Sequence, residues 1–351
     1  MNYPHAHQRN SAIMPPITDS LNRPLRDLRI SVTDRCNFRC PYCMPAEIFG
    51  EHYQFMKKDQ ILTFEEITRL TRIIVRLGAV KLRLTGGEPL VRQHLEELVS
   101  QLQTIDGVDD LAMTTNGKLL TPEKAAQLKA AGLQRVTISL DTLDNTIFRQ
   151  MNGQKADVAD VLAAIDAAEQ AGLTPIKINC VVQRGVNDHT LVDLALYCKE
   201  RGLTLRFIEY MDVGTRNGWD MQYVVPADEI IERLTAQIPL EPLAPDYYGE
   251  VAHRYRYADS AVEIGVITSV TKPFCGSCTR MRLSTDGKLF TCLFATQGTD
   301  LKTPLREGAT DDELEAIMRG TWSHRKDRYS ADRAAGIPYT GDKIEMYYIG
   351  G

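Results

Sequence analysis

The sequence predicts an α/β protein: a partial, TIM-like barrel of six βα units, whose open side is closed by a C-terminal extension of strands and helices. Three observations predict it. From about residue 28 to residue 211, short strand-like runs alternate with amphipathic stretches, which is the pattern of a parallel sheet. There are six such pairs, whereas a complete βα barrel has eight, and an open doubly wound sheet would use the same pairs. Beyond Met211 the rhythm fades into loops, hairpins and short helices. The chain is 351 residues long, 43% hydrophobic and 25% charged, which excludes disordered and fibrous classes.

The strands begin near Leu28, Lys81, Leu111, Arg135, Ile176 and Leu203. A helix over 64–77 follows from Ile67, Leu70, Ile74 and Leu77, which recur at helical spacing. Further helices are expected over 95–102, 122–131, 158–171 and 191–201, with Gly132, Gly172 and Gly202 as C-terminal stops. After Met211 the expectation is a loop over 214–218, a helix over 227–236 and a Pro-rich connection over 238–249. Strands and hairpins over 255–295 follow, with a turn at Asp286-Gly287. A helix near 311–319 and a polar tail ending in Gly350-Gly351 close the chain. The organisation is read as a flexible tail over 1–24, the barrel over 25–237 and a C-terminal domain over 238–351.

The strands alternate, whereas fully buried parallel strands are apolar on both faces. Leu28, Ile30 and Val32 oppose Arg29, Ser31 and Thr33, and Leu82 and Leu84 oppose Lys81, Arg83 and Thr85. Met113 opposes Thr114; Val136, Ile138 and Leu140 oppose Thr137, Ser139 and Asp141; Ile178 opposes Lys177 and Asn179. Successive side chains point to opposite faces, so the apolar set packs on helices and the polar set lines a locally basic cavity. The sixth strand does not sort, because Arg206 and Glu209 fall on different faces.

Forty-one basic against forty-six acidic residues give a net charge of −5, which creates no field for nucleic acid or anionic lipid. No apolar run approaches the ~18 residues of a membrane span, and the first two dozen residues lack the apolar core of a signal peptide. The expected location is the cytoplasm. There, clustered cysteines hold metal or do redox chemistry rather than pair. Six of the eight cysteines form two clusters, Cys36, Cys40 and Cys43, then Cys275, Cys278 and Cys292. Cys180 and Cys198 read as small core hydrophobes.

The first cluster, C-x3-C-x2-C, follows the first strand, where βα folds place their chemistry. Three thiolates can hold three irons of a four-iron cluster and leave the fourth iron free to chelate a small molecule. Two alternatives stay open: a dithiol at Cys40-Pro-Tyr-Cys43, or zinc with His52 as a fourth ligand. The second cluster, C-x2-C-x13-C, would by itself read as structural zinc; beside the first, it suggests another four-iron cluster. Arg280 and Arg282, two apart on a strand, share a face suited to phosphate. No P-loop competes, since Gly117-Lys118 and Gly287-Lys288 lack the following Ser or Thr.

C-x3-C-x2-C after the first strand, with Gly86-Gly87-Glu88-Pro89 after the second, resembles the radical S-adenosylmethionine superfamily. With the second cysteine triplet, Thr114-Thr-Asn-Gly117, Arg206-Phe-Ile-Glu209 and the terminal diglycine, residues from about 25 to 351 resemble the GTP 3′,8-cyclases of molybdenum cofactor biosynthesis. The resemblance implies a lyase that converts GTP to (8S)-3′,8-cyclo-7,8-dihydroguanosine 5′-triphosphate with two [4Fe-4S] clusters and S-adenosylmethionine. It implies that an adenosyl radical takes the 3′ hydrogen of GTP and that C3′ then joins guanine C8. By the same resemblance Tyr42, Gly87, Ser139 and Met211 contact S-adenosylmethionine. Arg29, Arg83, Thr114, Lys177, Arg280 and Arg282 contact GTP, the two cysteine triplets bind the clusters, and Gly350 and Gly351 support catalysis. Implied partners are an electron donor and the next pathway enzyme, cyclic pyranopterin monophosphate synthase, by product hand-off. Nucleic acid and membrane are not expected, and monomer and homodimer stay open. Two other readings remain, a two-cluster peptide maturase and a zinc-stabilised binding protein without catalysis.

Overall fold

The computed structural model describes residues 15–339 and 341–350. Six parallel strands form the barrel wall: β1 (Asp27–Ser31), β2 (Lys81–Thr85), β3 (Asp110–Thr115), β4 (Arg135–Ser139), β5 (Lys177–Val182) and β6 (Thr204–Glu209). Between them lie α1 (Phe64–Arg76), α2 (Leu95–Gln103), α3 (Pro122–Ala130), α4 (Asn145–Met151), α5 (Val158–Gln170) and α6 (Leu191–Glu200). The remainder comprises α7 (Ala227–Thr235), β7 (Leu240–Leu243), β8 (Ala252–Tyr257), β9 (Glu263–Ile267), β10 (Arg280–Leu283), β11 (Lys288–Phe290) and β12 (Thr299–Asp300). It ends with α8 (Lys302–Arg306), α9 (Asp311–Ser323), α10 (Tyr329–Ala334) and α11 (Met346–Ile349).

All twelve strands belong to one sheet, ordered β12-β11-β10-β1-β2-β3-β4-β5-β6-β9-β8-β7. The C-terminal region therefore adds strands to the barrel sheet itself. β10 pairs parallel with β1 and β9 parallel with β6, so consecutive strands of the chain stand on opposite flanks. The segment 268–279 that joins them crosses the open side of the barrel.

The alternation of the strands is realised. Leu28, Ile30, Leu82, Leu84, Ile138 and Ile178 are buried in the main apolar core with the helices. In register, Arg282 lies beside Arg29 and Arg29 beside Arg83, so three guanidiniums form one row on the inner face. β6 sorts after all. Arg206 aligns with Asn179 on the inner face, while Glu209 is buried on the other, accepting from the backbone N–H groups of Ala227, Val270 and Thr271 at 2.7–2.9 Å. It looked irregular because Ile208, an apolar residue, takes an inward position.

Three expectations need correction. Residues 15–24 are not a loose tail. Ile17 and Leu77 share a backbone bond of 3.0 Å, and the Asp19–Arg23 ion pair is wholly buried at 2.6 Å; residues 1–14 lie outside the described residues. The Pro-rich connection contains β7, whose Pro242 is tolerated because this is an edge strand. The sequence reading missed α4, too short to show periodicity but capped by Asp144, whose side chain accepts from Thr146 and Ile147 N–H at 2.8 and 3.0 Å.

Candidate functional site

The loop after β1 carries Cys36, Cys40 and Cys43 and is fixed by its Arg39 side chain, which donates to backbone carbonyls. Arg39 Nη1 donates to Cys36 O and Nε to Phe49 O, each at 2.7 Å. The turn after β2 presses against it: a Cβ at Gly87 would sit 2.2 Å from Arg35 O, and one at Gly86, whose φ is +149°, 2.6 Å from Thr33 O. Only glycine permits this approach. Glu88 completes the turn, accepting from Thr115 Oγ1 and Asn116 N at 2.7 Å and from Leu90 N at 3.1 Å. Burial pushes its carboxyl up to about 7.

These three cysteines open on a cavity of about 1190 Å³, counted to its open mouth. Tyr42, Gly87, Ser139 and Met211 all line it. Tyr42 O–H donates to Asp141 Oδ2 at 2.9 Å, and burial pushes the Asp141 carboxyl up to about 6.

A second cavity of about 990 Å³ is lined by Cys275, Cys278 and Cys292 together with Arg29, Arg83, Arg206, Arg280, Arg282 and Arg325. Thr114, Asn179, Ile208 and Met211 line both cavities, so the two open onto one interior. Arg280 Nη2 lies 3.2 Å from Cys278 Sγ. Burial would raise this thiol, but Arg280 and Arg325 hold it down at about 6. Burial and the neighbouring Asp327 push Cys292 up to about 12. The arginines repel one another: burial, then Arg282, Arg83 and Arg280, depress Arg29 well below its ordinary value. Burial and then Arg135 bring Arg83 down to about 10, and burial and then Arg280 do the same to Arg282.

The C-terminal segment reaches this interior. Arg282 donates to Gly350 O. Gly350 has φ +72°, and a Cβ on it would sit 2.2 Å from Thr85 Cγ2. Tyr347 O–H meets Tyr53 O–H at 2.7 Å and Tyr348 O–H donates to Asp286 Oδ1 at 2.6 Å, anchoring the approach. Gly351 lies outside the described residues.

Residues 30–198 match the Radical SAM superfamily, and residues 203–331 match Molybdenum Cofactor Synthesis C. Over 360 residues the chain is 50% identical to the GTP 3′,8-cyclase of Acidothermus cellulolyticus, covering 96% of this chain and 99% of that one. It is 48% identical over 338 residues to the GTP 3′,8-cyclase of Staphylococcus epidermidis, covering 95% and 99%. The chain belongs to the GTP 3′,8-cyclase family. The fold also matches the crystal structure of Streptococcus suis SuiB bound to S-adenosylmethionine, with a TM-score of 0.61 at 14% identity over 89% of this chain and 68% of that one.

The GTP 3′,8-cyclase family works with S-adenosylmethionine and two [4Fe-4S] clusters, and the residues present fit both clusters. Each cavity brings three thiols together, and the acidity of Cys40 responds to burial, then to Cys36 and Cys43. Burial and then Glu88 push Cys36 up to about 12, so binding an iron here must displace the thiol proton. Among the described residues, no three His, Cys, Asp or Glu side chains converge on a single metal ion. A four-iron cluster instead takes one thiolate on each of three irons.

Of the expected GTP contacts, Arg29, Arg83, Thr114, Arg280 and Arg282 line one cavity, whereas Lys177 lines neither. Lys177 sits in the row between Thr137 and Thr204. Burial, then Arg206, Arg135 and Arg83, bring its amine down to about 7. Sequence reasoning placed Asn179 on the cavity face and Arg206 in a family motif but named neither as a binding residue. Both line the cavity, and Arg206 Nε and Asn179 Oδ1 are buried without a protein hydrogen-bond partner. For Asn179 the signal was present in the alternation of β5; for Arg206 the inward Ile208 of β6 masked it.

Proposed function

We propose that this chain converts GTP to (8S)-3′,8-cyclo-7,8-dihydroguanosine 5′-triphosphate, joining ribose C3′ to guanine C8. One observation carries the reading: two cysteine triplets open on one continuous interior, and between them stands a row of mutually repelling buried arginines. Such a row is costly when empty and is offset by a polyanion. When bound, the first cluster and S-adenosylmethionine supply a 5′-deoxyadenosyl radical.

The chain's own residues do the rest. Tyr42, Gly87, Ser139 and Met211 shape the cofactor cavity. Arg29, Arg83, Arg280 and Arg282 hold the triphosphate, with Thr114 at the junction of the cavities and Lys177 beneath. Gly350 docks where a side chain would collide with Thr85 and so helps to close the interior against water. An electron donor and hand-off to the next enzyme of the pathway complete the reading. We place the protein in the cytoplasm; among the described residues no helix is long and apolar enough to cross a membrane.

The test is anaerobic turnover of reconstituted protein with reductant, S-adenosylmethionine and GTP. Cyclised nucleotide with iron at both sites is the expected result. Zinc at the second site, or radical formation that modifies a peptide and leaves GTP intact, would refute it.

A further inference from the structure

Residues 244–251 join β7 to β8 on one flank of the open sheet. The loop does not stay there. The Tyr247 ring lies over Lys81 at the start of β2, with Nζ 3.3 Å from the ring centroid. Gly249, at φ +86°, is seated on the residues that precede β10: a Cβ there would lie 2.8 Å from Thr279 Cγ2 and 2.9 Å from Ser277 O. Since β10 and β2 belong to the opposite flank, the loop bridges the open side of the barrel.

Its root is fixed by ion pairs, and its tip is held by the Lys81 contact, the seat of Gly249 and a 3.5 Å bond from Tyr248 O–H to Gly276 O. Arg254 Nη1 lies 2.5 Å from Asp246 Oδ1 and 3.1 Å from Ala244 O, and Asp246 N–H donates to Glu250 Oε2 at 2.8 Å. Even so, Tyr247 and Tyr248 are 45% and 51% exposed. Val251, at the inner end, lines the cavity with Arg29, Arg83 and Arg206. The Glu250 carboxylate opposes the loss of charge that burial imposes on Lys81, Lys177 and Arg206. The loop thus lies beside Lys81, Lys177 and Arg206 and carries both an anion and an aromatic face to that end of the interior.

We propose that residues 246–250 are a strap that closes over the phosphate chain of the bound nucleotide, and that Tyr247, latched on Lys81, is a residue that selects by phosphate number. The inference rests on the GTP reading above. A triphosphate extends under the strap and leaves only when the latch opens, whereas a monophosphate does not reach it.

The experiment measures dissociation of GTP and of GMP from the anaerobically reconstituted full chain in wild type, Tyr247→Ala and Tyr247→Phe. Tyr247→Ala should release GTP about tenfold faster, the range expected for loss of a cation–π contact, with GMP release unchanged. Tyr247→Phe, which keeps the ring, should behave as wild type. GTP, but not GMP, should also slow chymotryptic cleavage at Tyr247 and Tyr248 in the wild type. Equal GTP release from wild type and Tyr247→Ala, or equal acceleration for GTP and GMP, would overturn the strap while leaving the GTP reading intact. A wild type that binds no GTP would instead overturn that reading, and the strap with it.

Discussion

Arg282 has two claimants. Its guanidinium holds Gly350 O, and it shares a row with Arg29 in the cavity assigned to GTP. Arg280 is held differently, with Nη2 on Cys278 Sγ. Replacing either with Ala removes a charge-assisted contact of about 1.5–3 kcal/mol, so roughly ten- to a hundredfold in GTP affinity. Only Arg282→Ala should also free the tail, detected as faster carboxypeptidase release of the terminal glycines. GTP binding equal to wild type in both variants would remove the phosphate role. Lys177 gives a second expectation at this scale. Its amine is brought down to about 7 by burial and by Arg206, Arg135 and Arg83, below the unfolded value near 10.4. The native chain therefore binds fewer protons than the unfolded chain across that window, and Lys177's contribution to stability rises with pH between the two values. Phosphate favours the charged amine, so GTP binding above pH 7 should take up a proton and weaken as pH rises to 9. Calorimetry in buffers of different ionisation enthalpy measures the uptake; Lys177→Met should remove most of it near pH 8, leaving at most the share of Arg206, which burial and then Arg83 bring down to about 9.

The elements show how far the sequence could be read. Alternation in β1 to β5 revealed the inner face because each strand is polar on one side only. It failed at β6, where Ile208 turns inward and Glu209 is buried outward, capping α7 and the start of the crossing segment 268–279. Asp19–Arg23 was unreadable for a different reason. Its value depends on residues far along the chain, since Arg23 Nη1 donates to Cys275 O and Asp327 O at 2.9 Å. The diglycine was legible as thin and anchored, and the structure supplies the reason at Gly350. Gly350→Ala combines a positive φ with a Cβ 2.2 Å from Thr85 Cγ2, so it should undock the tail. Iron content should stay at the wild-type level while cyclisation falls at least tenfold, a loss of about 1.4 kcal/mol or more in the barrier term. Deleting residues 350–351 should do the same. Full turnover by either variant at matched iron loading would make the tail a bystander.

At the scale of the whole molecule, the question is whether one sheet makes one site or two. The first cavity is built from the loops after β1, β2, β3, β4 and β6, with Asn179 and Val181 of β5 and Met346 and Tyr347 of α11, and none of Cys275, Cys278 or Cys292 lines it. The second cavity needs β10, which is hydrogen-bonded to β1, and the crossing segment that carries two of those cysteines. The first site can thus be complete while the second is damaged, but the substrate cavity requires both flanks. Ser at Cys36, Cys40 or Cys43 should abolish cleavage of S-adenosylmethionine and halve the iron. Ser at Cys275, Cys278 or Cys292 should also halve the iron yet leave 5′-deoxyadenosine formation measurable without cyclised nucleotide. The asymmetry is what the topology demands, because damage on the β10 flank leaves the first loops untouched while the reverse change removes the radical source. Were the second set to lose cleavage as fully as the first, the two cavities would act as a single cooperative centre, and the shared lining at Thr114, Asn179, Ile208 and Met211 would be the place where that coupling arises.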